Sequence, residues 1–122
     1  MNYAEVGRRG EELARKLLRK SGYRILDTNV RGHFGEIDII ARQKRCYVFV
    51  EVRTKTGVAF GTPEESITAH KKNKLVTCAL AYVASHPELH DAEWRIDVVA
   101  IELDEGGRQV RAEIIESAVP TD

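Results

Sequence analysis

Asp38 and Glu51 are the two side chains on which chemistry can be built. Asp38 lies in Gly35-Glu36-Ile37-Asp38-Ile39-Ile40-Ala41, and Glu51 in Tyr47-Val48-Phe49-Val50-Glu51-Val52-Arg53-Thr54-Lys55. Both stretches are rich in β-branched and aromatic residues and read as strands. The polar Gln43-Lys44-Arg45 between them predicts a hairpin. Side chains alternate faces along a strand. Val48, Val50 and Val52 therefore share one face, and Glu51, Arg53 and Lys55 the other. Glu36 and Asp38 point away from the face of Ile37 and Ile39. Two carboxylates thus meet on one face of an apolar hairpin with cations beside them. A carboxylate in such a sheet needs a partner or a metal, so the cluster is either a metal site or a structural ion-pair network of Asp38, Glu51 and Arg53.

The surrounding elements must position these groups. Val6, Gly10, Leu13, Ala14, Leu17 and Leu18 recur at helical spacing, which predicts a first helix from about Tyr3 to Ser21, ended by Gly22 as a C-cap. Glu11 borders its apolar stripe and faces the sheet, whereas Glu12 falls with Lys16 and Arg19 on the solvent side. Glu11 also suits a helix N-terminus as an acid favoured by the macrodipole. Gly7 and Gly10 each cost a helix about 1 kcal/mol relative to Ala. Close approach of the backbone to the sheet or to a phosphate would offset that cost. A strand over residues 23–30, at or near an edge, leads through the loop Arg31 to Gly35 into the hairpin. A glycine loop, Thr56 to Pro63, precedes a second helix from about Glu64 to Ser85. Strands over 94–101 and 109–117, joined by a turn at 105–108, close the chain, with residues 119–122 as a tail. The order α-β-β-β-α-β-β predicts one α/β domain over residues 1–122, a mixed β-sheet flanked by helices.

Composition narrows the function classes. Formal charge is zero, yet residues 1–85 hold 16 Lys and Arg against 9 Asp and Glu, while residues 86–122 hold 3 against 10. A basic segment beside a carboxylate pair suits a polyanionic substrate; charge runs also simply solvate a surface. No apolar run approaches the roughly 20 residues of a membrane span, and Met1 to Glu5 carries no signal-peptide core. With Cys46 and Cys78 far apart and in no metal motif, reduced thiols and a cytoplasmic location are expected. Lys71 and Lys74 share a helix face, either to grip phosphate or to solvate the helix. Glu36 is a further ligand or an anchor for Arg31 or a helix terminus. Arg95 and Asp97 share a strand face and predict a mutual ion pair. His86 and His90 have helix-like ligand spacing, but Pro87 interrupts them and argues against zinc. His33 is expected at the surface, and Tyr82 and Trp94 in the core.

Five motifs in order then carry a resemblance. Gly10-Glu11, Gly35-Glu36-Ile37-Asp38, Val48-Phe49-Val50-Glu51-Val52-Arg53, Lys71 with Lys74-Leu75, and Arg95-Ile96-Asp97-Val98-Val99 resemble the YraN family. That family is uncharacterised and looks like the PD-(D/E)XK nuclease superfamily, with a restriction-endonuclease-like core and a layout similar to archaeal Holliday junction resolvases. The resemblance spans nearly the whole chain. It implies a metal-dependent endonuclease acting on DNA, with branched or structured DNA as a candidate substrate, and a homodimer by analogy.

The resemblance also implies roles. Mg²⁺ takes oxygen ligands, commonly one or two carboxylates completed by water and substrate phosphate. Asp38, Glu51 and the Val52 carbonyl would hold Mg²⁺ or Mn²⁺, and Glu11 would orient water or bind a second ion. The superfamily places a lysine two residues after the second carboxylate; here that position is Arg53. Arginine stays protonated and cannot serve as a base, although it can orient phosphate. Lys55, two residues further on, is a candidate substitute. Arg8, Arg9, Lys55, Lys71 and Lys74 would contact backbone phosphates. The alternative is a nucleic-acid-binding module with this fold and no turnover, and a more distant one is a purely structural interaction domain.

Overall fold

Two helices cover opposite faces of one five-stranded sheet, each burying its own apolar stripe. In the computed structural model, which describes residues 1–57 and 61–121, the order is α1 (Tyr3–Lys20), β1 (Arg24–Gly32), β2 (Gly35–Gln43), β3 (Cys46–Thr56), α2 (Ala69–Ser85), β4 (Glu93–Leu103) and β5 (Gln109–Val119). The sheet runs β1-β2-β3-β4-β5 in space, so β1 is an edge strand, as its sequence suggested. β3 and β4 are parallel and every other neighbouring pair is antiparallel. A parallel pair needs a crossover, and α2 supplies it. The architecture is the expected α/β mixed sheet flanked by helices. No helix among the described residues is long and apolar enough to cross a membrane.

Under α1, Leu13, Ala14 and Leu18 pack on Ile39, Ala41, Val48, Val50, Val99 and Ile101. Under α2, Leu75, Cys78 and Ala79 pack on Ile37, Ile40, Phe49 and Ile96. Strand alternation explains all but one of the β2 assignments. Ile37 has the parity of Ile39 yet belongs to the opposite cluster, so the expected shared face of these two isoleucines is broken. The break falls where β2 parts from β3.

Several boundaries differ from the sequence reading. The second helix does not run from Glu64. A 3₁₀ turn (Glu64–Ser66) is followed by extended Ile67, and α2 starts after Thr68, whose hydroxyl accepts the Lys71 N–H at 3.2 Å. A side-chain cap of this kind satisfies a backbone donor that the helix itself cannot. β5 continues beyond residue 117 to Val119, which pairs with Ile96 and is buried, so the tail begins at Pro120. Residues 58–60 of the glycine loop and residue 122 of the tail lie outside the described residues. α1 matches its expected span within a residue, with Asn2 accepting the Glu5 N–H at 2.9 Å and Gly22 leaving it at φ +87°.

Candidate active site in a fork of the sheet

The site exists because β2 and β3 separate. Their ladder runs from Gln43–Cys46 to Ile39–Val50 and stops, while β3 continues beside β4 to the Thr56–Leu103 pair. β2 stays with β1 through Glu36 and Gly35. The β1–β2 hairpin therefore peels away and leaves residues 51–56 of β3 without a paired strand on that edge among the described residues. Asp38 spans the opening: its Oδ2 accepts the Val52 N–H at 2.9 Å in place of a ladder carbonyl. In an extended strand the N–H and C=O of one residue face the same edge. The Val52 carbonyl thus also faces the fork.

A cavity of about 410 Å³ occupies this fork, and Glu11, Asp38, Glu51, Val52 and Arg53 all line it, with Lys71 and Lys74 on its α2 side. The groups arrive from both faces of the sheet. Glu11 comes from the α1 side and Glu51 from the α2 side, and they can share one cavity because no sheet lies between them here. Gly10 sets the approach of α1. A Cβ at Gly10 would fall 2.7 Å from Thr54 Cβ and 2.8 Å from its Cγ2, closer than real carbons pack, and would also strike Thr54 Oγ1. Of the two uses foreseen for the helix glycines, Gly10 serves contact with the sheet. Gly7 meets nothing within 4 Å and lines the cavity.

The electrostatics single out Glu51. It is only 4% exposed, and its nearest cations, Lys71 Nζ and Arg53 Nε, stand 3.6 and 3.7 Å from Oε2. Those distances exceed a direct hydrogen bond. Burial first, and the adjacent Asp38 second, push the Glu51 carboxyl up to about 7, against the pull of Lys71 and Arg53. Glu11 is also raised, chiefly by burial and then by Asp38, with Arg15 opposing. Arg53 Nε is buried and, among the described residues, has no hydrogen-bond partner. α2 carries Lys71, Lys72 and Lys74 in its first two turns and no acid in the first. Cations at a helix N-terminus oppose the macrodipole, whereas an anion at the same place is favoured.

Not every expected group reaches the cleft. Arg9 pairs with Glu12 at 2.8 Å and donates to the Gly107 carbonyl at 3.3 Å. It lies two residues from both Gly7 and Glu11, on the far side of the helix. Arg8 is exposed and, three residues before Glu11, flanks the cleft without lining it. Lys55 donates instead to the Gly61 carbonyl and borders a separate hollow with Asn2 and Tyr3. It has the parity of Glu51, but four residues of strand place it about 13 Å further along. Glu36 pairs with Arg31 at 3.3 Å and also lines the cavity, so it anchors and faces the site at once. Arg15, Ser66 and Cys78 border or influence the site and were not singled out in the sequence. Ser66 and Cys78 carry no local signal, because the placing of the 3₁₀ turn and the packing of α2 bring them there.

Among the described residues, no group of three or more His, Cys, Asp or Glu side chains is disposed to hold a metal ion. The carboxylates adjacent to one another are Asp38 and Glu51, the Val52 carbonyl faces the same fork, and Glu11 and Glu36 stand on its walls. That set suits a hard, water-carrying ion such as Mg²⁺ and not an all-protein cage. His86 and His90 make no joint site: His86 Nδ1 meets the Tyr82 carbonyl at 2.7 Å, and His90 Nε2 the Ala84 carbonyl at 3.4 Å.

Comparison with known proteins places the chain. Residues 10–101 match the pattern of Uncharacterised protein family UPF0102. A "UPF0102 protein" of Moorella thermoacetica is 45% identical over 112 residues, covering 92% of each chain. One of Caldicellulosiruptor bescii is 41% identical over 118 residues, covering 97% of this chain and 99% of its own. One of Pelobacter propionicus is 44% identical over 105 residues, covering 84% and 74%.

Proposed function

The chain belongs to Uncharacterised protein family UPF0102, and from that membership and the geometry of the fork we propose that it is a metal-dependent endonuclease acting on DNA, with branched or otherwise structured DNA as its substrate class. The observation that carries the reading is the contrast between two buried acids. Asp97 is fully buried and fully served: Arg95 Nε, Tyr23 Oη and the Ser117 N–H each donate to it at 2.9 Å. A buried charge held for structure has such an environment. Glu51 is also buried but faces another carboxylate, with its cations held off beyond hydrogen-bond distance. That arrangement suits acids that share a divalent ion.

Asp38, Glu51 and the Val52 carbonyl would hold Mg²⁺ or Mn²⁺. Such an ion, when bound, would supply polarisation of the phosphoryl oxygen and a lowered pKa for attacking water. Asp38 is fixed for this work by its bond to the Val52 N–H, and Glu11 faces the same space from α1, where it can orient water. Arg53, whose Nε has no hydrogen-bond partner among the described residues, would turn its guanidinium to a phosphate oxygen. Lys71 stands beside Glu51 from the start of α2. Lysine can give up a proton in a suitable environment and arginine cannot, so Lys71, and not Arg53 or Lys55, takes the part of the superfamily lysine. Lys74 and exposed Arg8 extend a positive rim for flanking phosphates.

A nucleic-acid-binding module without turnover is the second reading, favoured by the permanently charged Arg53 in the lysine position. Incubation with labelled single-stranded, duplex, flap and four-way-junction DNAs in Mg²⁺, Mn²⁺ or chelator separates the two. Cleavage of branched substrates that chelator abolishes supports the enzyme. Salt-sensitive binding without cleavage of any substrate supports the module. Absence of salt-sensitive binding removes both.

A further inference from the structure

A second cavity, of about 400 Å³, adjoins the carboxylate cleft and shares Gly35 and Cys78 as its wall. Its size falls in the usual range for small-molecule sites. Its walls are aromatic on both sides. From the β1–β2 turn come His33 and Phe34, packed edge to face with centroids 4.9 Å apart. From α2 and the residue that caps it come Tyr82 and His86, stacked on each other at 3.7 Å and 13°. Phe34 is 47% exposed at the tip of the hairpin, where neither core cluster uses it. At the rim, the Arg31 side chain is 85% exposed while held by Glu36, which itself lines the carboxylate cleft. Asp27 adds a carboxylate acceptor to the same wall.

We propose that this second cavity is a subsite for one unpaired nucleobase, which stacks on Phe34 and the α2 aromatics while its neighbouring phosphate lies in the carboxylate cleft. The inference rests on the nucleic-acid reading of that cleft and adds a substrate feature to it. Every base has a π-face, so stacking of this kind is strong and tolerant of sequence. Arg31 meets the backbone at the mouth, and Asp27 can accept from an exocyclic amino group. Continuous duplex keeps its bases stacked and cannot enter without extrusion, which costs unpairing energy. Flaps, branches and single-stranded ends offer a free base at no such cost. The subsite therefore favours DNA with an unpaired nucleotide next to the phosphate that the cleft holds.

The test is fluorescence anisotropy in chelator with the full chain, comparing a labelled single-stranded oligonucleotide with a fully paired blunt-ended duplex. Phe34→Ala should weaken single-strand binding roughly 5- to 150-fold and leave duplex binding unchanged, and Phe34→Trp should restore it. A 2-aminopurine in the single strand should be quenched on binding to the parent and less so by Phe34→Ala. Equal weakening on both DNAs, or on neither, overturns the subsite while leaving the cleft reading intact. Failure of the parent to bind either DNA at low salt overturns both.

Discussion

Replacing Glu51 by Gln should stabilise the metal-free protein in mildly alkaline solution, which is unusual for a buried charged residue. Burial beside Asp38 raises the Glu51 carboxyl from 4.5 to about 7. Below pH 4.5 the group is protonated in both folded and unfolded chains and nothing is lost. Between 4.5 and 7 the folded chain keeps a proton that the unfolded chain releases, so stability falls as pH rises. Above 7 the full penalty is present, of order 3 kcal/mol for this rise. Glutamine mimics the neutral acid in size and lacks the charge. Urea unfolding in chelator should therefore show a midpoint higher by roughly 1–2 M at pH 8, at ordinary slopes, and little change at pH 4.5. Mg²⁺ at one hundred times the parent's Kd should stabilise the parent at pH 8 by about 2.7 kcal/mol and Glu51→Gln, with its site at least tenfold weaker, by no more than about 1.4 kcal/mol. Were Glu51 a satisfied structural ion pair with Lys71 and Arg53, removing its charge would cost about 3–5 kcal/mol instead. A Glu51→Gln protein less stable than the parent at pH 8 refutes the reasoning.

Other variants probe separate parts of the structure. Gly10→Ala must push α1 off Thr54, costing about 1–3 kcal/mol in urea unfolding, whereas Gly7→Ala, with open space around its Cβ, should gain up to about 1 kcal/mol of helix propensity. Asp97→Ala takes the acceptor from Arg95 Nε, Tyr23 Oη and the Ser117 N–H in the interior and should lose about 3–5 kcal/mol by the same assay. In single-turnover cleavage, Lys71→Ala should lower the rate by more than tenfold, with Lys71→Arg failing to rescue it. Arg53→Lys should keep or raise the rate, and Lys55→Ala should leave it within about twofold, because Lys55 lies about 13 Å along the strand.

Period-two alternation made the hairpin, its two carboxylates and the apolar faces of β3 legible, since a strand encodes its faces residue by residue. Glu11 was legible for the corresponding helical reason. The fork was not. It depends on where β2 stops pairing with β3 and on the Asp38 side chain replacing a ladder acceptor, and both are contacts between distant residues. Gly10 was visible as an oddity within a helix, but its partner Thr54 is supplied by packing. Parity assigned Lys55 the right face and ignored its distance. Charge alone promoted Arg9, although its helical angle turns it toward the β4–β5 turn. The start of α2 was hidden because Glu64 to Thr68 can continue a helix in composition, and only the Thr68 cap marks the boundary.

Manganese titration followed by electron paramagnetic resonance, with DNA absent, tests most directly whether the fork holds a metal. Asp38→Asn is the decisive variant: its amide oxygen can still accept the Val52 N–H, so the fork keeps its shape while losing one charge. The account predicts saturable Mn²⁺ binding by the parent, competition by Mg²⁺, and at least tenfold weaker binding by Asp38→Asn and by Glu51→Gln. Undiminished Mn²⁺ affinity in both variants, with the fold intact, would contradict it.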